Sequence, residues 1–353
     1  IIERFGDDMK FDVIIGNPPY QEETGSNKMS KSIYPQFVKK AQEIGDKVVF
    51  VIPARWMSGE NGPYRETQGF IKDITDGNHI KAFTLYPDSS EVFDNVDIKG
   101  GVCYFVWDKQ YDGVVNYTLK DGDTSVASEV SFSQYADDNI VIRFPELFSI
   151  VQKISRKPSG SVKTLVSSWN PFGFVSDLFT KNNEGVSRIS EKQQADDDYL
   201  IHGLLKSKRV VRYIPNRELK KNRAGAHAYK VIVPRANGSG AFGEVFSTPM
   251  LGLPMQICTD TFLQVGEYDN EYEAASLLKY VKTKFFRAMV GVKKVAVFNY
   301  KDAFTFVPIQ NFTANSDIDW SRSIAEIDQR LYKKYGLSEQ EIAFIETKVR
   351  GMA

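Results

Sequence analysis

The sequence predicts an α/β fold in the first half of the chain and an α+β arrangement in the second. Residues 11–15 form an apolar run rich in β-branched side chains, typical of a buried parallel strand, and Gly16 ends it. Residues 33–44 space their apolar side chains as an amphipathic helix does, and residues 47–53 form a second apolar strand. A strand, a helix and a second strand in succession indicate the βαβ unit of a doubly wound sheet.

The first strand runs directly into Asn17, Pro18, Pro19 and Tyr20. Ligands of open α/β sheets bind beyond the carboxyl ends of the strands, which is where this turn lies. Successive prolines fix φ and restrict the residue before them, so Asn17 is held extended. The prolines donate no backbone hydrogen bond, so carbonyl acceptors lie beside the Asn17 amide oxygen, and the Tyr20 ring can stack on a base. A proline turn after a strand is the structural alternative, but the combination favours a site for a planar NH2 group.

This motif resembles the catalytic motif of S-adenosylmethionine-dependent amino-group methyltransferases, above all the adenine-N6 DNA methyltransferases of restriction-modification systems. The resemblance implies that Asn17 and the Pro18 carbonyl accept hydrogen bonds from the target amino group, with Pro19 in the same catalytic turn. It implies that Tyr20 stacks on a flipped adenine in double-stranded DNA. No covalent nucleophile is needed, because hydrogen bonding aims the nitrogen lone pair at the methyl group, so positioning is the catalysis.

The elements that follow agree with the carboxyl-terminal part of a Rossmann-like methyltransferase sheet. A helix is predicted over residues 64–74, and strands over residues 80–86 and 100–107 with no helix between them, which indicates an antiparallel pair. Such a pair closes the sheet in the fold that the motif resembles. By position in the loop before the last strand, Phe93 matches the residue that packs on the second face of the flipped base. The alternative is that Phe93 covers the core beneath the loop.

A Lys-Pro-Ser-Gly linker at residues 157–160 predicts a domain boundary. Residues 1–155 are interpreted as a partial methyltransferase catalytic domain, and residues 156–353 as an α+β DNA target-recognition domain with carboxyl-terminal helices. One amphipathic helix is predicted over residues 271–289, and two more helices close the chain. The helix, turn and proline-ended strand before those last two helices resemble the end of target-recognition domains in restriction-modification enzymes.

Basic residues cluster between Lys206 and Arg235, with only Glu218 against them. Such a cluster suits contacts with DNA phosphates, and a bidentate arginine–guanine pair adds about 1–3 kcal/mol of discrimination. A solvated charged surface is the alternative. The residues predicted to bind DNA are Lys206, Lys208, Arg209, Arg212, Arg217, Lys220, Lys221, Arg223 and Arg235, and Lys230 belongs to the same run.

The 353-residue chain has a formal net charge of zero, which does not exclude DNA binding because local clustering matters more than the total. Its two cysteines, Cys103 and Cys258, are far apart in the sequence and indicate neither a zinc site nor a disulfide framework. No metal is therefore expected. No stretch has the length and apolarity of a membrane span, and a cytoplasmic location is expected.

The Gly-rich turn and acidic residue that bind S-adenosylmethionine in such enzymes normally precede the Asn-Pro-Pro-Tyr motif, and no Phe-x-Gly-x-Gly pattern occurs before or after it here. The sequence is therefore interpreted as a fragment, inactive alone, of an enzyme whose cofactor-binding half, with or without a nuclease, lies upstream. Two other functions remain open: a protein-glutamine N-methyltransferase, whose substrate is also a planar NH2 donor, and a non-catalytic DNA-binding specificity module.

Overall fold

The computed structural model describes residues 10–24, 29–58, 69–98, 100–135, 140–157, 159–179, 189–238, 242–294 and 297–352. The chain divides into two compact units, Ile1–Phe148 and Ser149–Ala353. No helix among the described residues is long and apolar enough to cross a membrane.

The first unit is built on a mixed sheet of six strands in the order β1-β4-β6-β5-β7-β8, beside a two-stranded β2–β3 ladder. Its strands are β1 (Phe11–Gly16), β2 (Gln21–Thr24), β3 (Met29–Ser32), β4 (Gly45–Pro53), β5 (Ile80–Tyr86), β6 (Val102–Asp108), β7 (Val115–Asp121) and β8 (Thr124–Val130). The described helices up to residue 155 are α1 (Tyr34–Ile44), α2 (Phe70–Thr75) and α3 (Pro145–Ser155). The domain division falls inside α3, whereas the sequence predicts it just beyond that helix.

The predicted α/β fold class is confirmed. Strand β1 pairs in parallel with β4, and α1 connects them, as the apolar spacing predicts. Strand β6 is antiparallel to both β4 and β5, which is the pairing expected for strands joined without a helix. Val48 and Ile52 of β4 and Phe105 of β6 are fully buried, so the apolar segments of the sequence form the core of this sheet.

The burial of β1 differs from the prediction. Val13 is 48% exposed and Ile15 is 77% exposed, and both side chains lie on the same face of the strand. An apolar run is the signature of a strand covered on both faces, but actual burial depends on neighbours that the run itself does not encode.

Two further segments near the motif do not follow the sequence expectation in full. The polar composition of residues 21–31 is typical of a loop, but in their described part they form the antiparallel ladder of β2 and β3, with Gln21 opposite Ser32. Of the helix predicted over residues 64–74, residues 64–68 lie outside the described residues, and α2 begins at Phe70.

The second unit contains two three-stranded sheets, in the orders β10-β9-β13 and β12-β11-β14. Its strands are β9 (Tyr199–Leu205), β10 (Lys208–Ile214), β11 (Tyr229–Pro234), β12 (Met250–Gly252), β13 (Gln256–Cys258) and β14 (Phe262–Tyr268). Its described helices after α3 are α4 (Arg223–His227), α5 (Glu271–Lys282), α6 (Lys284–Gly291), α7 (Ile324–Tyr335) and α8 (Glu339–Lys348). Tyr199, Ile201, Ile257 and Phe262 belong to one buried apolar cluster between these elements.

The single helix predicted over residues 271–289 is wrong. Thr283 adopts an extended conformation (φ −64°, ψ 150°) and separates α5 from α6. Its hydroxyl accepts a hydrogen bond from the Phe286 amide at 3.1 Å and donates to the Tyr280 carbonyl at 2.7 Å. The apolar periodicity continues through this break because each of the two helices buries an apolar face.

The carboxyl-terminal helices agree with the sequence signals. Gly336 ends α7 in the left-handed conformation (φ 64°), and Ser338 with Glu341 forms a capping box at the start of α8, a pattern that the Ser-Glu-Gln-Glu sequence favours. Ser323 and Glu326 form a second capping box at the start of α7.

Candidate active site and nucleic-acid interface

The Asn-Pro-Pro-Tyr turn lies at the carboxyl end of β1, beside the carboxyl end of β4. The parallel register brings Gly16 opposite Phe50, so the residues after each strand emerge at the same edge of the sheet. Asn17 and Pro19 are exposed, Pro18 is buried, and Tyr20 is partly buried. Asn17 is thus open to solvent, while Pro18 and Tyr20 anchor the turn.

The chain on either side of this edge is tied together by hydrogen bonds. The Tyr20 carbonyl accepts from the Ile33 amide at 3.0 Å, which closes the β2–β3 ladder beneath the turn. The Arg55 guanidinium, just after β4, donates to the Oγ of buried Ser32 at 3.0 Å. The segment that follows Tyr20 is therefore fixed to the segment that follows the neighbouring strand.

The Tyr20 hydroxyl is buried beside the Asn17 side chain and Cys103. Burial raises the pKa of Tyr20 to about 12, and the neighbouring Cys103 acts in the same direction, while the contact with the Asn17 amide acts to lower it. Burial also raises the pKa of Cys103 to about 12, against smaller effects of Trp56 and Arg143. Both groups stay protonated near neutral pH, so neither is an activated nucleophile, in agreement with chemistry by positioning.

A partly buried arginine that the sequence did not identify braces the neighbouring loop. The Arg143 guanidinium donates to the Gly100 carbonyl at 2.6 Å, and burial lowers its pKa. The adjacent Gly101 carbonyl accepts from the Ala54 amide at 2.9 Å, which ties the start of β6 to the end of β4. Gly101 itself has φ 78°, and a Cβ there would lie 2.2 Å from the Tyr86 carbonyl oxygen, so this close approach requires glycine. No sequence motif marks Arg143, because its role arises only from the fold.

Phe93 lies in the loop between β5 and β6, at the same edge of the sheet as the Asn-Pro-Pro-Tyr turn. Its amide donates to the Ser89 carbonyl at 2.9 Å, and its side chain is partly buried. Strand β5 is three positions from β1, which at about 4.8 Å per strand spacing is roughly 14 Å. Among the described aromatic side chains, none forms a ring contact with Tyr20 or with Phe93.

The residues predicted to bind DNA occupy two adjoining segments and one position after β11. Lys206, Lys208, Arg209 and Arg212 lie on the β9–β10 hairpin, and Arg217, Lys220, Lys221 and Arg223 lie on the segment from Pro215 through α4. Arg235 follows β11. The exposed members are Lys206, Lys208, Arg209, Arg217, Lys220, Lys221 and Arg223.

Some of these cations have acidic partners. Arg217 pairs with Glu218 at 3.6 Å, and Arg212 pairs at 3.0 Å with Glu191, which lies outside the basic run. Glu218 is the acidic residue within the run, and folding adds Glu191 from outside it. Such surface pairs contribute little to stability, and several lysines and arginines of the run remain exposed.

Lys230 is not part of the surface. It is fully buried in the central strand β11, and its Nζ donates to the carbonyls of Ala226 at 3.2 Å, Ala228 at 2.8 Å and Leu253 at 3.1 Å. Burial lowers the pKa of Lys230 to about 8. This lysine ties the stretch just before β11 to Leu253 after β12, so its place in the basic run of the sequence does not indicate a DNA contact.

Comparison with known proteins agrees with the resemblance of the motif. Residues 1–93, which include the Asn-Pro-Pro-Tyr turn and Phe93, match the Eco57I restriction-modification methylase family. A protein of Mycoplasma pneumoniae described as an uncharacterized adenine-specific methylase is 36% identical over 130 residues, which are 36% of this chain and 30% of that protein. The family resemblance predicted from the sequence is confirmed over this part of the chain. The chain spans well under half the length of this curated relative.

Solved restriction-modification enzymes resemble the chain over a greater length but at low identity. The type IIL enzyme MmeI, solved in complex with DNA, is 9% identical with a TM-score of 0.44, covering 96% of this chain and 56% of MmeI. A nuclease-deletion mutant of the type ISP enzyme LlaGI, solved with a DNA substrate mimic, is 12% identical with a TM-score of 0.39, covering 92% of this chain and 41% of LlaGI. At such identities the function is inferred from the site.

Proposed function

We propose that this chain contributes the amino-group-binding half of a DNA methyltransferase that modifies the exocyclic amino group of a flipped adenine, as part of a restriction-modification system. The observation that carries this proposal is the exposed Asn17 amide at the carboxyl end of β1, beside partly buried Tyr20, within the residues that match the methylase family. A parallel strand end is the usual ligand position of such sheets.

In this proposal the Asn17 amide oxygen and the Pro18 carbonyl accept the two hydrogens of the target amino group. Both acceptors hold the nitrogen in one orientation, so its lone pair points away from them and toward the methyl donor. The Tyr20 ring lies against one face of the base, and Phe93 is proposed to pack on the other. Flipping costs a few kcal/mol of stacking and pairing, which contacts of this kind offset.

S-adenosylmethionine would supply the methyl group. The described residues do not form a complete site for it, since β1 pairs with β4 alone among them and leaves Val13 and Ile15 exposed on one face. No residue of this chain is therefore assigned to the cofactor, and the proposal is limited to what Asn17, Pro18 and Tyr20 do to the amino group. Residues 1–353 alone are expected to transfer methyl groups poorly or not at all.

The test is methyl transfer from tritiated S-adenosylmethionine to mixed-sequence duplex DNA, with N6-methyladenine identified by mass spectrometry of the nucleosides. It compares residues 1–353 with the complete product of the gene that encodes them. In the complete product, Asn17→Ala is expected to lower transfer by at least 100-fold while leaving DNA affinity within about twofold, since a positioning group contributes mainly to the chemical step. The control is Gln36→Ala, which changes an exposed amide on α1 and should have no effect.

The other outcomes select among the alternatives. A fully active Asn17→Ala variant would remove the assigned role. Transfer to a release-factor-like protein in place of DNA would indicate a glutamine methyltransferase, and DNA binding without transfer by the complete product would indicate a specificity module.

A further inference from the structure

An arginine of the second unit is surrounded by aromatic rings. The guanidinium carbon of Arg235 lies 5.3 Å from the ring centre of Phe298, 5.6 Å from that of Trp169 and 5.9 Å from that of Tyr300. These distances fall within the range of cation–π contacts. The rings therefore restrict the side chain of Arg235 to a small set of orientations.

The backbone of Arg235 is fixed as well. Its amide donates to the Thr261 carbonyl at 2.9 Å, and its carbonyl accepts from the Asn299 amide at 2.6 Å. The Asn299 side chain is fully buried and donates to the Pro234 carbonyl at 2.8 Å. The backbone amide and the backbone carbonyl of Arg235 are thus both held by segments distant in sequence, so the side chain extends from a fixed backbone.

Two of the surrounding rings lie at the protein surface. Trp169 is 56% exposed and Phe298 is 44% exposed, so these side chains do not serve mainly to fill the core. The Trp169 side chain lies beside the carboxylate of Asp260, which is only 9% exposed. The indole is therefore placed between a buried carboxylate and the guanidinium of Arg235.

A lysine from another segment contacts the loop that carries Trp169. The Nζ of exposed Lys221 donates to the Asn170 carbonyl at 2.8 Å. Asn170 (φ 56°) and Gly173 (φ 89°) both adopt left-handed conformations, which give the loop its tight course. A lysine bound to the loop whose tryptophan contacts Arg235 suits a phosphate contact that sets the register for a base contact.

We propose that Arg235 is a specificity-determining residue that recognises a guanine of the target sequence by donating to its O6 and N7 atoms in the major groove. A guanidinium that stacks on an aromatic ring does so through a face, which leaves N–H donors in its plane available to a base edge. Trp169 and Phe298 are positioning residues, because they fix the plane in which those donors lie. This inference rests on the proposed function, since it requires that the chain bind duplex DNA.

The test is selection of binding sites from a random duplex pool by residues 1–353, followed by affinity measurements on the selected duplex. The variants are Arg235→Lys, which keeps the charge, and Trp169→Ala and Trp169→Phe. The control is Arg322→Lys, an exposed arginine paired with Asp319 near the start of α7.

Arg235→Lys is expected to lose preference for one G·C pair by roughly 5- to 150-fold while binding to unrelated DNA stays within about twofold. Trp169→Ala should relax the same base pair, and Trp169→Phe should restore part of the preference.

A second measurement leaves the protein unchanged. Replacing the selected guanine by 7-deazaguanine removes the N7 acceptor, so it should weaken wild-type binding about fivefold or more and leave binding by Arg235→Lys nearly unchanged.

Each remaining outcome has a definite meaning. If wild type binds no DNA, the proposed function fails and this inference fails with it. If wild type binds and selects a sequence but Arg235→Lys keeps the same preference at every position, or 7-deazaguanine weakens both proteins equally, only the inference is overturned. Binding without any sequence preference overturns the inference and leaves DNA binding in place.

Discussion

Tyr20 could contribute to this site through its ring or through its hydroxyl, and the structure distinguishes the two. The hydroxyl is buried, and the pKa of about 12 keeps it protonated across the range in which the enzyme would work. Its neighbours are the Asn17 amide and the Cys103 thiol, neither of which is an ionised partner. The structure therefore favours the ring as the functional part.

We predict that Tyr20→Phe retains methyl transfer by the complete gene product within about tenfold and leaves its pH profile between pH 7 and 10 unchanged. Tyr20→Ala should lower transfer by roughly 5- to 150-fold, since base stacking on an aromatic side chain contributes about 1–3 kcal/mol. Initial rates at saturating DNA, with melting temperatures as a folding check, measure both effects. Equal losses in the two variants would show that the hydroxyl is required.

Individual residues differed in how far the sequence revealed their roles. Asn17 and Tyr20 could be singled out from the sequence because they stand in one short motif whose chemistry is local. Lys230 was misjudged because a run of charges does not say which side chains face inward, and β11 is covered on both faces. The rings around Arg235 were missed as a group because Trp169 and Phe298 come together only through folding.

Secondary-structure elements were predicted well where their limits are set locally. Strand β5 (Ile80–Tyr86) and the end of α7 at Gly336 match the sequence expectation, because an apolar run and a glycine stop are local signals. The sequence did not reveal the break at Thr283, because part of its cause is a residue that is distant along the chain. Asp328 of α7 accepts hydrogen bonds from the Lys284 and Phe285 amides, both at 2.9 Å, and so fixes the start of α6.

This contact predicts a pH dependence of stability. Burial raises the pKa of Asp328 to about 6, although the two backbone amides act to lower it. Between the ordinary aspartate pKa and about 6, the folded protein binds more protons at this site than the unfolded chain does. The contribution of Asp328 is therefore greatest below about pH 4 and is lost as the pH rises to about 6, by at most about 1.4 kcal/mol per pH unit.

Urea denaturation of wild type and Asp328→Asn from pH 4 to pH 8 measures this effect as the difference between their free energies of unfolding. Wild type should lose stability relative to the variant up to about pH 6, and the difference should then stay constant. Asp319 is the control, because hydrogen bonds from Ser321 and Arg322 lower its pKa, so Asp319→Asn should show no such decline. A difference independent of pH would contradict the assignment.

On the scale of the whole chain, a net charge of zero conceals an uneven distribution. The basic hairpin and the segment after it present exposed lysines, whereas Lys230 is buried and Arg212 is paired. DNA affinity should therefore depend on a few surface cations. Lys220 is a suitable probe, because it is exposed and its Nζ contacts only the Arg217 carbonyl, at 2.6 Å, among the described residues.

We predict that Lys220→Ala weakens binding of residues 1–353 to every duplex sequence by a similar factor. Each phosphate contact releases about 0.9 of a counterion, so the slope of log affinity against log salt concentration should become shallower by about 0.9. Fluorescence anisotropy with two unrelated duplexes between about 50 and 200 mM salt provides the slopes. Lys333→Ala removes the same charge from an exposed position on α7 and should leave the slope unchanged. If both variants keep the wild-type slope, Lys220 makes no phosphate contact, and the basic segment at that point is solvated surface, as the alternative to DNA binding holds.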